Sequence, residues 1–272
     1  MLMISEDTLK VAVFQLNMTP DIEQNKHQLM DLISKTSAQD AELWALPECT
    51  LFRHQALNDF SHFTMDETIV PWFQDHAKTY KKWILIGSFF YNNPELKGTT
   101  NTSVLINPEG AVIQDYNKIH LFDVTIDNLS FLESDRFKAG TTPKTARIKS
   151  FLCGFSICFD IRFPELYRLY ADLGAQICFV PSSFTKTTGT HHWHTLCRAR
   201  AIENQCYIIA PNQCGIGTNH AQTYGHSLII DPFGKILAEA SSDTPEVISA
   251  TLSLKRVTQT RRLFPLLSAK KL

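Results

Sequence analysis

Cys158 stands where a thiol could serve as a nucleophile. The segment Gly154-Phe155-Ser156-Ile157-Cys158-Phe159-Asp160-Ile161-Arg162-Phe163-Pro164-Glu165-Leu166 opens as an apolar strand that ends at Cys158. Pro164 then starts a helix with Leu166, Leu169, Tyr170 and Leu173 on one face, and Gly174 closes it. A strand-to-helix turn projects side chains into the crevice beyond a sheet and keeps free backbone N–H groups close by. Cys178 and Cys206 lie instead within apolar runs, where cysteine acts as a small buried hydrophobe.

A thiol with an ordinary pKa near ~8.5 needs a base at neutral pH. Two kinds are present. His191, His192 and His194 offer imidazoles, to Cys158 or to a metal, but they share a predicted helix with Trp193, Leu196, Cys197 and Ala201, and adjacent helical positions cannot all face one ion. Glu48 offers a carboxylate directly after Leu46-Pro47 at a strand end. A carboxylate held against apolar neighbours can take up and return a proton. Lys118, within Asp115-Tyr116-Asn117-Lys118-Ile119-His120-Leu121-Phe122-Asp123, adds a cation that can stabilise a developing oxyanion.

The elements that must position these groups follow from the apolar spacing. Strands are expected at Val11–Leu16, Leu43–Leu46, Trp83–Phe90, Ser103–Ile106 and Ala111–Tyr116, with helices at Asp21–Ser37 and Asp66–Lys81 between the first three. The second half repeats the order. Residues 102–113 read TSVLINPEGAVI and residues 226–237 read HSLIIDPFGKIL, each a strand, an Asn/Asp-Pro-x-Gly turn and a returning strand, offset by 124 residues. AELWALPE at 41–48 parallels AQICFVPS at 175–182; Phe155–Phe159 parallels Val11–Leu16, and Cys206–Ala210 parallels Trp83–Gly87. Such a two-fold pseudo-repeat predicts an α/β fold of two sheets face to face with helices outside, a four-layer α-β-β-α sandwich in a single domain over 1–272.

Composition excludes several classes. Lys and Arg number 26 against 27 Asp and Glu, for a net charge of −1, so no nucleic acid or anionic membrane partner is expected. No apolar run approaches the ~20 residues that span a bilayer. Seven cysteines without a CxxC pair suit neither a disulfide framework nor a thiolate zinc site. The N-terminal MLMISEDTLK does not read as a secretory signal, which makes the cytoplasm the expected compartment. The basic tail from about residue 254 carries Leu254, Val257, Leu263, Phe264, Leu266 and Leu267, enough apolar surface to dock on the domain or on a partner subunit.

Leu46-Pro47-Glu48, Tyr116-Asn117-Lys118-Ile119-His120 and Ile157-Cys158-Phe159-Asp160-Ile161-Arg162-Phe163-Pro164-Glu165 resemble the Glu, Lys and Cys signatures of the nitrilase superfamily of carbon–nitrogen hydrolases, in that family's order and approximate spacing. The likeness runs from Val11 to at least Leu237. It implies the same α-β-β-α sandwich, with Glu48 as general base, Cys158 as nucleophile and Lys118 as oxyanion stabiliser. The family's second glutamate falls on Glu133, in Phe131-Leu132-Glu133-Ser134, where it helps hold the substrate or the base. The backbone N–H of Phe159 is a candidate second oxyanion donor. The implied reaction is thiolate attack on an amide, release of an amine and hydrolysis of a thioester, with no metal and no organic cofactor.

Within the superfamily, Phe159-Asp160 stands where true nitrilases usually carry Trp-Glu, which argues against nitriles. Pro181-Ser182-Ser183-Phe184, Gly189-Thr190-His191-His192-Trp193, the stretch Leu196–Tyr207, Gln213-Cys214-Gly215 and Tyr224-Gly225-His226-Ser227 resemble the deaminated-glutathione amidases, which release 2-oxoglutarate and cysteinylglycine. An ω-amidase acting on 2-oxoglutaramate and an N-carbamoyl amino acid hydrolase are the alternatives, and a catalytically silent binding or assembly protein is the reading from a different class. Cys49, Asp127-Asn128 and Lys138-Ala139-Gly140 depart from the common forms and bear on pocket shape. Arg162 offers a fork to a substrate carboxylate, or pairs with Glu165. Thr185–Thr188 are expected as a loop at the pocket rim. The expected partners are a small-molecule amide and further copies of the chain, as a homodimer or higher homo-oligomer.

Overall fold

The opening strand β1 (Thr8–Gln15) sends Leu9, Val11 and Val13 into one core and Ala12 and Phe14 into another, as its period of two requires. In the computed structural model, which describes residues 7–54, 66–126, 129–217 and 221–271, that division runs through two six-stranded sheets. The first is built from β1, β2 (Leu43–Ala45), β3 (Trp83–Asn93), β4 (Gly98–Ile106), β5 (Val112–Asn117) and β14 (Glu246–Ser253), in the order β14-β1-β2-β3-β4-β5. The second is built from β8 (Thr145–Ile148), β9 (Phe151–Phe155), β10 (Ile177–Phe179), β11 (Tyr207–Ala210), β12 (Leu228–Ile230) and β13 (Ile236–Glu239), in the order β13-β12-β11-β10-β9-β8. A separate hairpin, β6 (Asp123–Ile126) and β7 (Leu129–Leu132), joins the halves.

Three apolar cores make four layers. Val11, Val13, Leu43 and Leu85 of the first sheet meet Phe155, Ile177, Phe179 and Ile209 of the second. The outer face of the first sheet, with Phe14, Trp44 and Ile84, is covered by helices α1 (Ile22–Lys35) and α2 (Asp66–Tyr80) through Leu29, Ile33, Phe73 and Ala77. The outer face of the second, with Cys178 and Ile208, is covered by α3 (Pro164–Asp172) and α4 (Lys186–Asn204) through Leu166, Tyr170, Trp193 and Cys197. Each of the Val, Leu, Ile and Phe side chains among these contributes roughly 1.5–3 kcal/mol on burial, so the sandwich is the arrangement that satisfies both faces of both sheets.

The repeat expected from the letters is present in three dimensions. In each half three parallel strands are followed by two antiparallel ones, β1-β2-β3 then β4 and β5, and β9-β10-β11 then β12 and β13. Leu85 pairs with Leu105 and, 124 residues on, Ile209 pairs with Ile229. The two turns are also alike: the Gly110 N–H donates to Asn107 O and the Gly234 N–H to Asp231 O, each at 2.9 Å. Both glycines have positive φ, +80° and +85°, where a side chain would be strained. The repeat does not reveal an exchange at the sheet edges. The strand following each half joins the other half's sheet: β8 pairs with β9, and β14 returns to β1.

Two local expectations are corrected, and of the two alternatives for the tail the structure shows docking on the domain. The strand before Cys158 is Phe151–Phe155 rather than Phe155–Phe159, because the chain turns there and residues Cys158–Arg162 form a short 3-10 helix. Thr187 and Thr188 lie in the first turn of α4, with Thr185 at its N-cap, rather than in a loop; the Thr185 and Thr188 hydroxyls are 2.8 Å apart. The tail forms α5 (Leu254–Leu263) and α6 (Leu266–Ala269) and docks on its own chain. There Arg256 pairs with Asp231 at 2.7 Å and Arg261 donates to Ala175 O at 2.5 Å. The departure at Asp127-Asn128 lies outside the described residues.

Candidate active site

Glu48 follows the end of β2, and Lys118 follows the end of β5. Both strands belong to the first sheet, so their ends deliver the two side chains to one place. The Lys118 Nζ donates to Glu48 Oε1 at 3.0 Å. It also reaches Glu133, whose two carboxylate oxygens lie 3.0 and 2.9 Å away. Glu133 opens a short 3-10 turn after β7, and its Oε2 accepts from the Phe122 N–H at 2.8 Å. Lys118 and Glu48 are almost fully buried, at 1% and 3% exposure.

Two groups hold Glu48 from its other sides. Asn101 Nδ2 donates to Oε1 at 2.9 Å, and the Ser183 N–H donates to Oε2 at 2.8 Å. Ser183 belongs to the second sheet's half, in the segment after β10. The carboxylate therefore bridges the two halves, as Gln213 does when its Nε2 donates to Glu48 O at 2.9 Å.

Cys158 has φ +46°, a left-handed conformation that is costly for a residue with a Cβ. Its N–H donates to Pro181 O at 2.9 Å. The strain is held by Asp160, which is fully buried and accepts four hydrogen bonds. These come from the Ile157 N–H at 2.9 Å, Tyr116 Oη at 2.7 Å, the His120 N–H at 2.9 Å and His120 Nδ1 at 2.7 Å. Phe163 stacks flat on the His120 ring with centroids 3.6 Å apart.

Cys158, Glu48, Lys118 and Glu133 line one cavity of about 300 Å³. Phenylalanines, Phe90, Phe122, Phe159 and Phe184 among them, line it beside charged and hydroxyl side chains. Removal from water pushes the Cys158 thiol well above its usual range, and the Glu48 carboxylate adds to this against the pull of Lys118. Burial alone would favour the neutral Lys118 amine, but Glu133 and Glu48 outweigh it and hold the ammonium well above its ordinary value. Burial also raises the Glu133 carboxyl, despite Lys118 beside it. The arrangement is a thiol, an ammonium and two carboxylates, each of them held at both oxygens.

Phe159 and Arg162 also line the cavity. The Arg162 guanidinium lies 5.6 Å from the Phe159 ring centre and 5.2 Å from that of Phe184, with Nη1 3.1 Å from His192 Nδ1. Among the described residues it makes no ion pair with Glu165, so that pairing is replaced by aromatic packing at the cavity wall. His191, His192 and His194 diverge as adjacent helical positions must. His192 faces Arg162, and His194 faces Glu239.

The sequence reading did not single out Asn101, Ser183, Tyr116, His120 or Asp160 as parts of the site. Asp160 lies within the Cys158 motif, and Tyr116 and His120 flank Lys118. The available signal was a polar residue at fixed distance from each candidate in otherwise apolar surroundings. Asn101 carried no such signal, because its partner is 53 positions away.

A profile of the carbon–nitrogen hydrolase family matches residues 10–262. The deaminated glutathione amidase of Synechocystis sp. is 39% identical over 259 residues, 93% of this chain and 95% of that protein. The ω-amidase NIT3 of Saccharomyces cerevisiae is 33% identical over 272 residues, 97% of this chain and 93% of that protein. The crystal structure of Saccharomyces cerevisiae Nit3, a member of branch 10 of the nitrilase superfamily, superposes with a TM-score of 0.83 at 30% identity, covering 96% of each chain. With this match across nearly its whole length, the chain belongs to the carbon–nitrogen hydrolase family, within the nitrilase superfamily.

Proposed function

We propose that Cys158, Glu48 and Lys118 hydrolyse a small carboxylate-bearing amide, most simply deaminated glutathione, through a cysteine thioester. The observation that carries this reading is the shared cavity: a strained cysteine opens onto a carboxylate and an ammonium 3.0 Å apart. Glu48 takes the thiol proton as Sγ attacks the amide carbonyl. The oxyanion forms beside the Lys118 ammonium, with the Phe159 N–H as second donor. The C–N bond breaks as the amine leaves with the proton from Glu48, and a thioester remains. Water then gives a proton to Glu48 while its oxygen attacks the thioester; the acid leaves and the thiol is restored. Glu133 keeps Lys118 charged and aimed, and no step requires a metal or cofactor.

The substrate class rests on the cavity and on the relatives. Arg162 places a guanidinium on an aromatic wall without a carboxylate partner among the described residues, which suits a substrate carboxylate. The 39% identity to a deaminated glutathione amidase favours that amide over 2-oxoglutaramate, the ω-amidase substrate, which the 33% identical NIT3 keeps as the second reading. The edge-strand exchange supports reading 1–272 as a single hydrolase unit. Free thiols at all seven cysteines suit a reducing cytoplasm. Exposed Leu169, Leu173, Leu263 and Phe264 support a homodimer. Among the described residues, no helix is long and apolar enough to cross a membrane.

The test is incubation of the wild type and Cys158→Ala with deaminated glutathione and with 2-oxoglutaramate. Release of cysteinylglycine by the wild type alone is expected. Equal product from both proteins, or none from either amide, would overturn the reading; a clear preference for 2-oxoglutaramate would move it to the ω-amidase.

A further inference from the structure

Outside the catalytic cavity, two imidazoles from distant segments converge on one carboxylate oxygen. His194 lies on α4, His226 precedes β12, and Glu239 ends β13. His194 Nε2 is 2.9 Å and His226 Nδ1 2.8 Å from the same Glu239 Oε1. The three ligand atoms lie within 4.8 Å of one another. None of the three residues lines the catalytic cavity.

We propose that His194, His226 and Glu239 form a binding site for a divalent zinc-type metal ion. Two neutral imidazoles and one carboxylate are a donor set that suits zinc, with a fourth, solvent-facing position left for water. At ordinary lengths of about 2.0–2.2 Å, donors around a tetrahedral ion stand roughly 3.3 Å apart. The 2.8 and 2.9 Å spacings to Glu239 need to open by about half an ångström, and the spacing between the two imidazole nitrogens, within 4.8 Å, needs to settle at the same value. The side chains remain 32%, 26% and 35% exposed, so an ion has a path from solvent.

The framework around the rings is already fixed. His226 holds a left-handed conformation, φ +51°. Its N–H donates to Ser241 O at 3.0 Å, and its carbonyl accepts from Trp193 Nε1 at 2.7 Å. Trp193 is the neighbour of His194 on α4, so the same contact registers both ligands. Tyr224 packs against both rings, with centroids 5.9 Å from His194 and 4.5 Å from His226. In the hydrogen-bonded state each ring turns an N–H toward Glu239. On metal binding that proton moves to the ring's other nitrogen, and the freed lone pair goes to the ion. An ion here would clamp α4 to the β12–β13 hairpin.

Titration calorimetry of the metal-stripped full-length protein with Zn2+, and with Mg2+ as comparison, tests this. One equivalent of Zn2+ and no saturable Mg2+ binding are expected. His194→Ala and His226→Asn, the latter chosen because Asn tolerates positive φ, should each weaken zinc binding at least about tenfold, the lower range for loss of even an outer partner. His192→Ala and Cys158→Ala should bind as the wild type does, which separates this site from neighbouring imidazoles and from the catalytic thiol. Co2+ should give tetrahedral d–d bands in the wild type that both ligand variants lack. Circular dichroism checks that the variants are folded, and Glu239→Gln, nearly isosteric, gives a third measurement. No one-to-one binding by the wild type, or unchanged affinity in folded His194→Ala and His226→Asn, would overturn the site.

Discussion

Asp160 Oδ1 accepts both the backbone N–H of His120 at 2.9 Å and its ring Nδ1 at 2.7 Å. This one carboxylate oxygen ties the turn that carries Cys158 to the segment that carries Lys118. Its other oxygen accepts the Ile157 N–H and Tyr116 Oη. Cys158 and Lys118 are therefore positioned by a shared buried carboxyl group that need not touch the substrate.

Asp160→Asn replaces one acceptor oxygen by a donor that cannot satisfy these four groups. Loss of about 1–3 kcal/mol in urea unfolding is expected. A fall in kcat of up to about 100-fold is expected with a smaller change in KM, because the reacting groups shift while the binding wall stays. Equal kcat in a folded variant would remove Asp160 from this positioning role.

Glu48→Gln should abolish turnover by about 10²–10⁴-fold as the proton acceptor is lost. Thiol alkylation should move the opposite way. Desolvation raises the Cys158 thiol most and the Glu48 charge raises it further, so neutralising Glu48 lowers the thiol's pKa and increases its thiolate fraction at fixed pH. In the wild type, iodoacetamide modification of Cys158 should climb about tenfold per pH unit, without a plateau, through its ordinary ~8.5. In Glu48→Gln the same profile should shift to lower pH. Peptide mapping of the alkylated cysteine against pH measures both.

Lys118→Met leaves Glu48 and Glu133 facing one another without a cation. Activity should fall about 10²–10³-fold with the oxyanion donor, and stability at pH 7 by about 3–5 kcal/mol. In the wild type the Lys118 pKa is raised on folding. Its stabilisation is therefore fully present below the unfolded value near ~10.4 and is lost only as pH rises through the higher folded one. In the variant the deficit should shrink on acidification, because Glu133, already raised by burial, protonates and removes one unpaired charge. Urea melts at pH 5 and 7 compare the two.

Arg162→Met keeps the apolar stem against Phe159 and Phe184 but removes the guanidinium. For an amide with a free carboxylate, KM should rise about ten- to a hundredfold, the equivalent of one charged hydrogen bond of roughly 1.5–3 kcal/mol. A carboxamide-capped substrate should show no such change. An equal effect on both substrates would argue against carboxylate recognition.

Gly87→Ala tests how the base is aimed. A Cβ at Gly87 on β3 would lie 2.0 Å from Leu46 O and 2.2 Å from Pro47 O, the backbone that leads directly into Glu48. Backbone cannot yield as a flexible side chain does, so a loss of about 3 kcal/mol or more is expected, together with loss of turnover. Thermal unfolding and steady-state kinetics measure each part.

Local sequence determined the elements and the three residues at their ends. Alternation within β1 assigns Val13 inward and Phe14 outward because successive Cβ atoms point to opposite faces. Pro47 marks where the chain leaves β2 toward Glu48, Pro164 marks the helix that follows the Cys158 turn, and the repeated Asn/Asp-Pro-x-Gly turns reveal two related halves. The apolar pattern of Phe151–Phe159 extends past the strand, which ends at Phe155. The stop comes with the left-handed turn at Cys158, which Asp160 fixes from within the same motif and Pro181 from the segment after β10.

Tertiary structure alone decided the partners. That β8 joins β9 and β14 returns to β1 depends on which sheet edges are open after the two faces pack, a property of no single segment. Lys118 meets Glu133, Arg162 rests on aromatic rings instead of Glu165, and His194 meets His226 and Glu239, because each charged or polar group takes the partner that the assembled layers bring beside it. Residue type and periodicity fix where a side chain points along its own element; what stands opposite is set by the packing of elements far apart in the chain.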